Sequence, residues 1–130
     1  MKKAGILTLC GLVAAMLVGY SGNVDARPNY NKAHDEMHKD AQNAEALKEA
    51  KCNKCHYGKS KKDRNDYGKA LIKLGLTEEN FKAKNKDDKE GLEKDIKEAL
   101  EKVLKEKNEA GETYGDRIKE GKLPGTNPAE

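Results

Sequence analysis

The chain has 130 residues, of which 38% are charged and 5% aromatic, and its formal net charge is +3. This length fits one small domain, and so even a balance of charge argues against nucleic acid as a partner. Because aromatic residues are so few, the chain has little from which to build a core. We therefore expect an additional stabilising element.

Residues 1–26 have the pattern of a secretory signal peptide. Two lysines supply the charged start, an uncharged stretch follows over residues 5–18, and a small-residue cleavage site ends at Ala26. The apolar stretch is short for a membrane span, although an uncleaved N-terminal anchor stays the alternative. We therefore expect one exported domain over residues 27–130, without a membrane span, in the periplasm or an equivalent compartment.

The first predicted helix covers residues 29–50, with a break near Gln42-Asn43. Four side chains at spacings typical of one helix face mark it, namely Tyr30, His34, Met37 and Ala41. The helix leads directly into the next motif.

That motif is the pentapeptide C-x-x-C-H, formed by Cys52, Cys55 and His56. In an exported protein this pattern is typical of c-type haem attachment. The two thiols can bond to the two vinyl groups of one haem, and the adjacent histidine can bind the iron. We therefore expect one covalent haem c, held by Cys52 and Cys55, with His56 as an iron ligand.

Three other interpretations of the motif stay open. A structural zinc site needs four ligands, and the only further histidines are His34 and His38. A redox C-x-x-C is expected beside a βαβ pattern, which this chain lacks. A plain disulfide suits an oxidising compartment but leaves His56 unexplained.

Two shorter helices are predicted after the motif. The first is capped by Asp63 or Asn65 and runs to about Leu74, and the second is capped by Thr77. Residues 82–86 are expected to form a polar joint.

The clearest predicted helix covers residues 88–108, since Asp87 and Glu90 have the spacing of a capping box. Thr113 can cap a final helix over residues 114–120. The long helix carries one apolar stripe, formed by Leu92, Ile96, Ala99, Leu100, Val103 and Leu104. We therefore predict an all-α domain, a small helical c-type cytochrome of about four to five helices around one covalent haem.

Residues 51–56, 58–62 and 64–71 resemble the small secreted monohaem c-type cytochromes of planctomycetes, including anaerobic ammonium oxidisers. Residues 114–124 are similar to that family as well. The resemblance implies an α-helical periplasmic haem protein in electron transfer or nitrogen-cycle redox chemistry. Some members resemble a two-subunit complex whose haem iron takes a histidine and an unusual cysteine as axial ligands.

This chain departs from that pattern, because residues 27–130 contain no cysteine outside the motif. No methionine follows His56, although the common small cytochromes c supply one there. The second axial ligand is then expected upstream, from His34, Met37 or His38, unless the iron is open or binds water. His34 is preferred because it lies on the apolar face of the first helix.

We expect an electron-transfer protein, not an enzyme, with redox proteins as partners; a homodimer or heterodimer stays open. The alternative is a haem with an open distal site that binds a small gas such as NO or CO, or a subunit of a redox complex. Arg64 is the only arginine near the motif. The basic loop over residues 59–62 is either a solvated turn or a contact for haem propionates or an acidic partner.

Overall fold

The structure is a computed structural model that describes residues 28–128. Within this range it has six α-helices, one 3-10 helix and two isolated β-bridges, but no strand. The all-α prediction is confirmed, with six helices instead of four to five, and the predicted signal peptide lies outside the described residues. The elements are α1 (Pro28–Met37), α2 (Ala44–Ala50), the 3-10 helix η1 (Lys51–Lys54), α3 (Asp66–Lys73), α4 (Glu78–Asn85), α5 (Lys89–Val103) and α6 (Tyr114–Lys119).

The predicted first helix is divided into α1 and α2, as expected, by a turn over residues 38–43. α2 ends where Lys51 takes a φ of 46°, a backbone conformation that side chains disfavour and that an α-helix cannot continue. η1 begins at this residue, so the C-x-x-C-H motif follows the helical region as predicted.

The caps of α4 and α6 are those the sequence predicts, and of the two candidates for α3 the cap is Asn65, not Asp63. Asn65, Thr77 and Thr113 each accept a hydrogen bond from the backbone amide three residues later. The prediction of a polar joint over residues 82–86 is wrong, because α4 continues to Asn85. Packing of α4 against α5 explains the extension, since tertiary contacts outweigh weak local propensity.

α5 differs from its prediction at both ends. Asp88, not Asp87, accepts the capping bond, from Gly91 N at 2.9 Å, so the predicted capping box is absent. The helix ends at Val103, because the Leu104 carbonyl accepts a hydrogen bond from Gly115 N at 3.0 Å. The start of α6 therefore binds the end of α5.

The core is built around α5, against which α1, α3 and α4 pack. The predicted stripe is confirmed over five of its six residues, each no more than 2% exposed: Leu92, Ile96, Ala99, Leu100 and Val103. Tyr67 of α3 and Tyr114 of α6 complete this cluster, with ring centroids 5.2 Å apart. None of the helices within residues 28–128 is long and apolar enough to cross a membrane.

The N-terminus of α3 approaches the C-x-x-C-H motif closely. Gly68 faces Cys55 so tightly that a Cβ atom there would collide with the Cys55 carbonyl oxygen. Gly91 occupies the matching position of α5, the third residue after the cap, but its Cβ would meet only the Asp88 carboxylate. The Cys55 carbonyl belongs to the backbone and cannot easily move aside, whereas the Asp88 side chain is flexible and can.

We predict that Gly68→Ala lowers the free energy of unfolding by about 1–3 kcal/mol, because α3 must move away from Cys55. Gly91→Ala is the control and should change stability little, since the gain in helix propensity of about 1 kcal/mol offsets a weakened cap. Urea unfolding of both variants is the measurement. An equal effect of the two substitutions would contradict the close approach at Gly68.

Candidate functional site

The three residues of the C-x-x-C-H motif lie on a single turn. The Cys52 carbonyl accepts hydrogen bonds from the backbone amides of Cys55 at 3.2 Å and His56 at 3.0 Å. Both cysteines are free thiols, with Cys52 exposed and Cys55 packed against the core. Burial raises the pKa of Cys55 to about 12, so its thiol is protonated at neutral pH.

The loop after the motif orients the His56 ring. Nδ1 lies 3.2 Å from the Asp63 carbonyl oxygen, and a carbonyl can only accept, so Nδ1 carries the proton. The neutral ring then has its lone pair on Nε2. Histidines that bind metals commonly donate their other nitrogen in this way, which fixes tautomer and orientation.

Asn65 ties the motif to α3. Its backbone amide donates to the Cys55 carbonyl at 3.0 Å, and its Nδ2 donates to the Lys54 carbonyl at 3.1 Å. Its Oδ1 accepts from Gly68 N at 2.9 Å, and the residue is only 1% exposed. Sequence reasoning identified Asn65 as a helix cap and missed its bonds to the motif, although it lies in the stretch that carries the family resemblance.

Two buried histidines lie at the C-terminal end of α1, with His34 inside the helix and His38 directly after it. His34 is 3% exposed and His38 is 9% exposed, and their ring centroids are 4.6 Å apart. His34 also meets the Tyr67 ring edge-on at 5.9 Å. Burial, with smaller contributions from His38 and Lys54, lowers the pKa of His34 to about 3. Burial is also the main cause of a lowered pKa at His38, so both rings are neutral at pH 7.

Several polar atoms in this region are buried without a hydrogen-bond partner. They include both ring nitrogens of His34, Nε2 of His38 and the Tyr67 hydroxyl. Burial raises the Tyr67 pKa, and neighbouring Cys55 adds to the rise, so this hydroxyl lies near the motif. Because buried polar groups are normally bonded, the cluster fits a bound group, and neutral imidazole is the form that binds a metal.

Met37, the remaining candidate ligand, lies beside a surface groove. It is half-buried and lines an open groove of about 600 Å³ together with His38, Leu104 and Ile118. Neither cysteine of the motif lines this groove, nor does His56. Met37 and His38 therefore border the same groove, which His34 does not line.

Within residues 28–128, no group of three or more His, Cys, Asp or Glu side chains is arranged to hold a metal ion. A haem iron takes four ligands from the porphyrin and at most two from the protein. Comparison with protein-family models, curated proteins and solved structures found no match. Functional inference therefore comes from the residues themselves.

We predict that Asn65→Ala lowers the free energy of unfolding by about 2–4 kcal/mol, because it removes a cap and leaves the Lys54 carbonyl unpaired. Thr77→Ala, which removes only a cap, is the control and should cost about 1 kcal/mol. Asn65→Asp keeps the cap oxygen and loses the amide donor, so it should fall between them. Thermal unfolding of the three variants is the measurement. If Asn65→Ala lowers the free energy of unfolding no more than Thr77→Ala does, the bond from Asn65 to the motif does not stabilise the protein.

Proposed function

We propose that this protein is an exported electron-transfer protein that carries one haem c. Cys52 and Cys55 would hold the haem covalently, and His56 and His34 would bind its iron. The observation that carries the proposal is the C-x-x-C-H turn, whose histidine is oriented by the Asp63 carbonyl. The buried, unpartnered imidazole of His34 supports a second ligand from α1.

Each of these residues would have a separate role. The two thiols would add across the two vinyl groups of the haem to form thioether bonds, and the Asp63 carbonyl would keep the proton on Nδ1 of His56 so that Nε2 could bind iron. Burial keeps His34 neutral and therefore able to coordinate. When bound, the haem supplies a one-electron iron couple, and two histidines give it a lower potential than a histidine and a methionine.

With His56 and His34 both bound to the iron, the protein would exchange electrons with redox proteins in the periplasm and perform no bond chemistry. The second candidate function is a haem that binds NO or CO at an open distal position. The 4.6 Å spacing of the His34 and His38 rings favours it, because one imidazole could hydrogen-bond a gas near the iron.

The first prediction from this proposal concerns attachment. Mass spectrometry of the denatured protein, matured in a host that attaches haem, should show the processed chain plus one haem. Cys52→Ala with Cys55→Ala is the control and should lack that added mass. A processed wild-type chain without haem would contradict the proposal as a whole.

The second prediction concerns the distal ligand. His34→Ala should convert a low-spin haem spectrum to a high-spin one and allow CO to bind, because the iron loses one imidazole. His38→Ala, directly after the same helix, is the matched control and should leave the spectrum nearly unchanged. If only His38→Ala changes the spin state, His38 is the ligand; CO binding to the wild-type protein would instead favour the open distal site.

A further inference from the structure

One of the two residues between Cys52 and Cys55 is a deeply buried lysine, Lys54. The Lys54 side chain is only 2% exposed, although lysine is rarely buried unless its charge is paired. Its partner is Asp35 of α1, with Nζ and Oδ1 2.5 Å apart and the Asp35 side chain 20% exposed. The motif is thus in direct contact with the helix that carries His34 and that ends just before His38.

Lys54 is fixed at its backbone as well. Its carbonyl accepts a hydrogen bond from Nδ2 of Asn65 at 3.1 Å, at the start of α3. The ammonium group therefore projects from an anchored position, and Asp35 must meet it there. This contact constrains both the rotation of α1 and its position along its own axis.

His34 of α1 and His38, the residue directly after α1, are close alternatives as ligands. Residues four apart on a helix differ by about 40° in direction and about 6 Å along the axis, and the His38 amide still donates to the His34 carbonyl at 3.1 Å. A slide of one turn would therefore bring His38 to the place of His34. His38 and Lys39 lie in the turn directly after α1, so a slide that drew this turn into the helix would also bring Lys39 to the place of Asp35, opposite the buried charge of Lys54.

We propose that the Lys54–Asp35 ion pair locks α1 in one register against the C-x-x-C-H turn and so selects His34, not His38, as the iron ligand. Attraction to Asp35 favours the observed register, and repulsion from Lys39 opposes the alternative. Lys54 is thus a positioning residue. This inference rests on the proposed haem site.

A purely stabilising role is the competing explanation. A buried ion pair can often be replaced by apolar residues without loss of stability, so stability and ligand selection can be measured separately. Lys54→Met with Asp35→Leu should unfold at about the wild-type temperature but should no longer distinguish the two histidines.

The experiment compares His34→Ala alone with His34→Ala in the Lys54→Met background, using holoprotein whose covalent haem is verified by mass. Alone, His34→Ala should give high-spin haem that binds CO. With Lys54→Met, α1 can slide and His38 can replace the missing ligand, so the CO-binding fraction should fall about fivefold or more. Two controls use the same His34→Ala background. Lys54→Arg keeps the charge, so the haem should bind CO as it does with Lys54 in place. Lys59→Met removes an exposed lysine and should likewise leave CO binding unchanged.

A charge exchange tests the same lock in the opposite direction. Asp35→Asn with Lys39→Asp places the carboxylate one turn later, so His38→Ala should become the substitution that opens the iron. The lock is refuted if His34→Ala remains equally high-spin in every background, or if His38→Ala opens the iron of the otherwise wild-type protein. Failure of the proposed function is distinct, because the wild-type chain would then carry no covalent haem.

Discussion

The attachment of α3 to the C-x-x-C-H turn is the interaction on which the rest of the site depends. Asn65 donates its side-chain amide to the Lys54 carbonyl and its backbone amide to the Cys55 carbonyl, and its side-chain oxygen caps α3. Backbone carbonyls at a tight turn are costly to bury without donors. One asparagine therefore couples the geometry of the motif to a helix of the core, and Gly68 permits the close approach.

Aromatic contacts extend this coupling through the domain. The Tyr67 ring packs against Tyr114 on one side and against His34 on another, and α1, α3 and α4 pack on the apolar stripe of α5. His34 is therefore supported by the same core that supports the motif. Such support would matter for the proposed haem site, because a ligand is useful only where its rotamer is fixed by packing.

The polar interior of the site is unusual for so small a domain. It contains two neutral histidines, an unpartnered tyrosine hydroxyl and a buried ion pair between Lys54 and Asp35. Each group costs free energy to bury, and the core of α5 must offset that cost. Polar groups retained at such expense are typical of functional sites, and here they gather between α1 and the motif.

The sequence by itself determined the local features of this protein. Helix periodicity, the caps at Asn65, Thr77 and Thr113, and the C-x-x-C-H motif are all encoded within a few residues, so they could be predicted. Where α4 and α5 end, and which aspartate caps α5, followed from packing between helices, which no local pattern contains. The burial of Lys54 and of both histidines was likewise decided only by tertiary structure. From the sequence alone, a lysine between two cysteines is expected to be solvated. The fold places Asp35, 19 residues earlier, in contact with its ammonium group.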